Sequence, residues 1–232
     1  MKIGVLETGA PPADLRERYG RYGAMFQTLV GDKAHEWTLF DVAAGDLPAK
    51  PEVCEAYLIT GSAAGVYDPD PWIARTEGFL RAARGRALLV GICFGHQLMA
   101  QAFGGRVIKS PKGWGIGLHR YEVRDRLPWM DGAATLAAPA SHQDQVVEPP
   151  PGAAVLAGSD FTPFGMLAYE GGDAMSLQLH PEFEPGYAKA LIEARRGTRY
   201  APADADRAIA SLDASPDERA RLGHWIGNFL DP

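Results

Sequence analysis

Apolar positions along the chain fall into two alternating rhythms. Ile3-Gly4-Val5-Leu6 is a short continuous apolar run that stops at Glu7, and the turn-rich stretch Thr8-Gly9-Ala10-Pro11-Pro12 closes it, so it reads as a buried strand. Leu15, Tyr19, Tyr22, Phe26 and Leu29 then recur at steps of four, three, four and three, which predicts one helix with its large apolar groups on a single stripe. Trp37 to Phe40 and Ala56 to Thr60 read as strands, the second rich in the β-branched and aromatic residues that suit a buried pleat. Trp72, Ile73, Thr76, Phe79, Leu80 and Ala83 bring back helical spacing between Pro71 and Arg84, with Pro71 tolerated in the first turn. Ala87 to Ile92 is unbroken apolar sequence, as in a strand covered on both faces.

Strand and helix in alternation imply right-handed crossovers and an α/β, doubly wound, mostly parallel sheet. From about Gly115 to Gly172 the rhythm changes to short extended runs (Leu118 to Val123, Ala153 to Leu156, Met166 to Tyr169) set apart by Gly and Pro, which predicts hairpins or a small antiparallel annex. Ala174 to Leu179 restores a core strand, Gly186 to Arg196 reads as a helix, and a helical tail fills about 198–232. Within that tail, helices are expected over Pro202 to Leu212 and Pro216 to Leu230, the latter capped by Ser215-Pro216. No repeat, low-complexity stretch or long linker interrupts the pattern, so residues 1–232 are expected to form one domain.

With 46% hydrophobic and 22% charged residues, composition excludes disordered and fibrous classes. A net charge of −6 repels phosphate backbones and anionic lipid, so nucleic acid is not an expected partner. The apolar opening is too short for a signal peptide, and no stretch approaches the roughly 20 apolar residues of a membrane span, so a cytoplasmic protein without a membrane partner is expected. Two cysteines, Cys54 and Cys93, make no disulfide framework and need separate explanations.

Cys93 lies in Gly91-Ile92-Cys93-Phe94-Gly95, after an apolar strand and before a helical run from His96 to Phe103. A nucleophile flanked by glycines between strand and helix is the elbow arrangement, in which a tight turn crowds its neighbours and lifts one side chain above the sheet. The exposed N–H groups and dipole of the helix favour a thiolate there. Cys54, in Glu52-Val53-Cys54-Glu55, has no glycine, turn or helix beside it and reads as structural.

A thiolate nucleophile needs a base, and the base an orienting acceptor. His180-Pro181-Glu182 closes the apolar strand ending at Leu179, at the sheet edge where ligands bind in open α/β folds, and Glu182 can accept the imidazole N–H. His96, three residues after Cys93 on the first helical turn, is expected to project along the helix flank and pack against a neighbouring loop. Oxyanion donors are expected from the Phe94 N–H and from the small-residue loop Thr60-Gly61-Ser62-Ala63-Ala64-Gly65. Ser141-His142-Gln143-Asp144 reads as a polar loop. There is no phosphate-binding loop and no metal-ligand spacing such as C-x-x-C or H-E-x-x-H, so neither nucleotide hydrolysis nor a metal is expected.

GICFGHQ at 91–97, ITGSAAGVYD at 59–68, GWGIG at 113–117, SHQD at 141–144 and LQLHPEF at 177–183 together resemble the class I (triad) glutamine amidotransferases. The likeness is greatest to stand-alone proteins similar to the glutaminase domain of GMP synthase, and it covers nearly the whole chain. It implies a flavodoxin-like fold and hydrolysis of the glutamine side-chain amide through a γ-glutamyl thioester, without a cofactor. Cys93 would be the nucleophile, His180 the proton shuttle and Glu182 its orienting partner, with Ser62 and Phe94 N–H groups holding the oxyanion. Gly61, Gln97, Ser141, His142, Gln143 and Asp144 would contact the substrate. Where the GMP synthase domain has two glycines then proline, this chain has Gly61-Ser62-Ala63, which leaves the second donor open by one residue, and Gln143 replaces a frequent glycine. The sequence ends at Pro232 with no synthetase domain, so the resemblance leaves three roles. They are an amidotransferase passing ammonia to a separate synthetase subunit, a γ-glutamyl peptide or conjugate hydrolase, and a catalytically silent regulatory subunit.

Overall fold

A computed structural model of the chain describes residues 1–31 and 35–231. Residues 32–34, and Pro232 at the end of the expected domain and tail, lie outside the described residues. The strands are β1 Lys2–Glu7, β2 Glu36–Asp41, β3 Ala56–Ile59, β4 Leu88–Ile92, β5 Arg106–Lys109, β6 Gly115–Val123, β7 Thr135–His142, β8 Asp144–Glu148, β9 Ala154–Gly158, β10 Met166–Ala168 and β11 Ala174–Leu177. The helices are α1 Ala13–Tyr19, α2 Tyr22–Val30, α3 Pro71–Ala83, α4 Phe94–Ala102, α5 Pro185–Ala194, α6 Pro202–Ala214 and α7 Arg219–Leu230. None is long and apolar enough to cross a membrane.

One sheet runs β2-β1-β3-β4-β11-β10-β9-β6-β7. Its first five strands pair in parallel and the remaining pairs are antiparallel. The unbroken apolar strands divide their side chains between two layers, as a period of two requires. Ile3, Val5, Leu58, Val90 and Ile92 meet Phe26 of α2 and Trp225 and Phe229 of α7 on one face. Leu6, Tyr57, Ile59 and Leu89 meet Leu80 of α3 and Leu98 and Met99 of α4 on the other. This is the doubly wound α/β architecture, and β5 and β8 form the small separate antiparallel pair.

Several expectations are corrected. The runs at Leu118 to Val123, Ala153 to Leu156 and Met166 to Tyr169 pair antiparallel as expected, but within the main sheet as β6, β9 and β10 and not as an annex, because β10 finds its hydrogen-bonding partner in the edge of β11. The stripe from Leu15 to Leu29 is two helices, broken at Gly20, which takes φ +81° without a Cβ penalty and donates its N–H to the Arg16 carbonyl. The break has a packing cause: Leu15, Tyr19 and Tyr22 join a third cluster with Phe183 and Tyr187, whereas Phe26 and Leu29 face α7. The last helix begins at Arg219, not at Pro216, since the Glu218 N–H is drawn to the Ala137 carbonyl of β7 at 2.6 Å before the chain turns helical. Ser215 instead sits in extended backbone at the end of α6. Ser141 and His142 close β7, paired with Ile116 and Gly115, and Asp144 opens β8, so this segment is two strand ends and not a free loop.

Candidate active site

The C-terminal ends of β3, β4 and β11 converge on one cleft, and Cys93 stands at its base. Cys93 has φ +53° and ψ −102°, the one positive φ outside glycine among the described residues. A β-to-α reversal within one residue imposes this conformation, and three backbone bonds hold it. The Cys93 N–H donates to Leu177 at 2.9 Å, Gly95 to Thr60 at 3.1 Å, and Gln97 to Cys93 at 3.1 Å. The flanking glycines are steric necessities: a Cβ on Gly95 would lie 2.3 Å from the Ile59 carbonyl oxygen, and one on Gly91 would lie 2.5 Å from Met99 Sδ. Gly95→Ala should therefore cost about 3 kcal/mol, or about 6–12 °C in Tm for a chain of this size. Thermal unfolding checks it, and a Tm shift of under about 2 °C would contradict the close packing.

His180 follows β11, its N–H held by the Pro139 carbonyl at 2.8 Å. Its Nδ1 donates to Glu182 Oε1 at 2.7 Å, and both side chains are buried. Pro181 keeps the chain from turning helical between them, so both project toward the same side. The Phe183 ring lies flat against the imidazole, centroids 3.9 Å apart and planes 7° apart, and Tyr22 stacks on the far side of Phe183. The third apolar cluster thus fixes the plane of His180. Gly61 closes the cleft opposite, since a Cβ there would lie 2.9 Å from His180 Cε1 and 3.7 Å from Cys93 Cβ.

Burial pushes the His180 imidazolium down, but the Cys93 sulfur and the Glu182 carboxylate outweigh it and raise the group to about 10. A value raised above the ordinary figure of about 6.5 stabilises the folded chain fully below that pH. The contribution is lost as pH rises toward 10. Stability should accordingly decline between these limits, and Cys93→Ala, which removes one source of the upward shift, should end the decline at a lower pH and make its total extent smaller. Unfolding midpoints measured across that range for both proteins test this; identical profiles would refute the coupling.

The remaining expected residues gather around this pair. A cavity of about 590 Å³ is lined by Gly61, Ser62, Cys93, Gln97, Ser141, His142, Gln143, Asp144 and His180. Phe94 turns its ring away against Trp72, so it can offer only its N–H, which as the first in α4 has no helical acceptor. The Ser62 N–H has no protein acceptor among the described residues. Glu182 stands behind His180, outside the lining. Gln97 Nε2 donates to the Asp144 carbonyl at 2.8 Å and to Gln178 Oε1 at 3.1 Å, tying α4 to β8. Asp144 is half-buried, which raises its carboxyl, and accepts the Tyr67 hydroxyl at 2.8 Å. His142 Nδ1 donates to the Asp144 carbonyl at 3.1 Å, and burial holds this ring neutral, down to about 3.

His96 departs from expectation. It points inward and not along the helix flank, its Nδ1 2.7 Å from Ser176 Oγ of β11, and burial pushes it down to about 3. It is a neutral core group without access to the cleft. Cys54 is buried beside Tyr57, its thiol pushed up by burial. Sequence reasoning did not single out Tyr22, Lys109, Trp114, Arg195 or Arg199, which also line the cavity. Trp114 stood inside the GWGIG signature, but nothing local marks the others.

Comparison with known proteins bears on the family and the fold. Residues 55–196, which include the elbow, the small-residue loop and the His180-Pro181-Glu182 turn, match the family described as glutamine amidotransferase class-I. Gamma-glutamyl peptidase 5 of Arabidopsis thaliana is 27% identical over 93% of this chain and 90% of its own length. The glutamine-hydrolyzing GMP synthase of Thermus thermophilus is 32% identical over 69% of this chain but only 32% of its own length. A solved glutamine amidotransferase of Thermotoga maritima shares the fold, with a TM-score of 0.77 over 100% of this chain and 99% of that one at 18% identity. Family match and fold agree over the same segments, and the chain belongs to the class-I glutamine amidotransferases.

Proposed function

We propose that this chain hydrolyses the amide at the γ-carbon of a glutamyl group, with Cys93 as nucleophile, His180 as proton carrier and Glu182 orienting His180. Cys93 passes its thiol proton to His180, Sγ adds to the γ-carbonyl carbon and the C=O π pair moves to oxygen. The Phe94 and Ser62 N–H groups donate to that oxyanion, an interaction typically worth about 100- to 1,000-fold per donor. Collapse breaks the C–N bond; the departing amine takes a proton from His180 and leaves a γ-glutamyl thioester. Water then adds to the thioester, passing a proton to His180, and C–S cleavage releases glutamate and restores Cys93. The Asp144 carboxylate offers a partner for the substrate ammonium, beside Gln97 and Ser141 to Gln143.

The observation that carries this reading is the strained, buried Cys93 facing a buried His180–Glu182 pair inside a cavity open to a small molecule. A γ-glutamyl peptide or conjugate is favoured over glutamine, because the gamma-glutamyl peptidase relatives align with nearly the full length of both chains. The GMP synthase relative aligns over about a third of its own length. Purified protein incubated with γ-glutamylglycine and, separately, with glutamine should release glutamate faster from the former. Release from glutamine alone, and only with an added synthetase subunit, would establish the amidotransferase reading instead; release from neither would overturn the hydrolase.

A further inference from the structure

Cations line the cavity in two places, and Lys109 is the one set opposite Asp144 in the β5–β8 pair. Asp68 and Asp144 lie near Gly65 and Gln97, where the glutamyl ammonium would sit. Arg195 and Arg199 line the other side, next to Phe183 and Leu191, and Phe183 is the ring stacked on His180. His180 hands its proton to the leaving nitrogen, so the arginine side is where the departing amine lies.

Arg195 ends α5 and is partly exposed into this cavity. Its Nη1 donates only to neutral oxygens, Ser141 Oγ at 3.0 Å and Tyr200 Oη at 3.2 Å. Among the described residues no carboxylate lies within ion-pairing distance of it. The adjacent Arg196 is different, paired with Asp206 at 2.8 Å and Glu193 at 2.9 Å. Ser141 connects Arg195 to the chemistry, because its carbonyl oxygen lies 4.0 Å from Cys93 Sγ. Arg199 places its guanidinium 5.9 Å from the Trp114 ring centre, on the wall shared with a neighbouring cavity of about 490 Å³. A guanidinium has five donors in a planar fork that matches a carboxylate. Ammonia would leave that fork unused.

We propose that Arg195, assisted by Arg199, forms a leaving-group subsite that binds a carboxylate, so that the preferred substrates are γ-glutamyl amides of amino acids or peptides. The inference rests on the γ-glutamyl hydrolase reading and names the class of amine that it releases. γ-Glutamylglycine and γ-glutamylglycinamide test it, since they have nearly the same shape and differ by one charge. The acid should have a kcat/KM about tenfold or more above the amide, the scale of one charge-assisted hydrogen bond. In Arg195→Met the acid-to-amide ratio should fall to within about threefold of one, and Arg195→Lys, which keeps the charge but not the fork, should retain part of it. A ratio near one in the parent overturns the subsite. A ratio unchanged in Arg195→Met also overturns it, because equal losses on both substrates mean that Arg195 supports the fold or the glutamyl end. Binding of the same two ligands to Cys93→Ala, measured by calorimetry, separates the readings. A carboxylate preference that depends on Arg195 upholds the subsite even where the parent hydrolyses nothing, and no preference in binding overturns it even where hydrolysis is robust.

Discussion

Cys93→Ser should lower glutamate release by about four orders of magnitude or more, the scale seen when the nucleophile of a triad is removed, while the chain still folds and melts cooperatively. The two effects separate because the elbow is a property of the backbone. The positive φ at position 93 is imposed by the β4–α4 reversal and by the close approach of Gly91 and Gly95 to their neighbours, none of which needs the sulfur. The chemistry does need it: a serine hydroxyl at neutral pH is a weak nucleophile, whereas sulfur is intrinsically a strong one. Initial rates with a γ-glutamyl substrate, beside a thermal melt of each protein, check both halves. A serine variant retaining more than about a tenth of the parent rate would remove Cys93 from the mechanism.

Glu182→Gln should cost about 100- to 10,000-fold in kcat, and more in rate than in stability. Glu182 Oε1 accepts the Nδ1–H of His180 at 2.7 Å, and its second oxygen is buried with no hydrogen-bond partner among the described residues. The carboxylate charge is therefore directed at one imidazolium. A carboxamide in the same place cannot offer that charge, and when its NH₂ faces the ring it selects the tautomer with the proton on the wrong nitrogen. Loss of about 10⁴ in rate accompanies that fault in a serine protease triad. The near-identical size of glutamine preserves packing against the buried His180, so the melt should change far less than kcat. A Glu182→Gln protein with near-parental turnover would show that the orienting role lies elsewhere, and an alanine variant with equal turnover would confirm that failure.

Much of the cleft was legible before any coordinates. Gly91 and Gly95 around Cys93 have a local steric meaning, because the Cβ atoms they lack would collide with Met99 and the Ile59 carbonyl. His180-Pro181-Glu182 was legible for a similar reason: a proline after an apolar strand marks its end, and a carboxylate two residues on can reach the same ring. The unbroken runs in β3 and β4 announced strands covered on both faces, hence the doubly wound core. The Leu15-to-Leu29 stripe misled, because helical periodicity does not say whether one core or two receives the face.

By itself, then, the sequence determined the elements whose cause lies within a few residues: the buried strands, the glycine-flanked turn at Cys93 and the polar turn at His180. Tertiary structure alone decided that β6, β7, β9 and β10 extend the main sheet, that Ser141 to Asp144 form strand ends beside the sulfur, and that Arg195 at the end of α5 lines the cleft. These follow from pairing between segments far apart along the chain, where the backbone of one supplies the hydrogen-bond partners of another. Local spacing holds no record of which distant edge will be met.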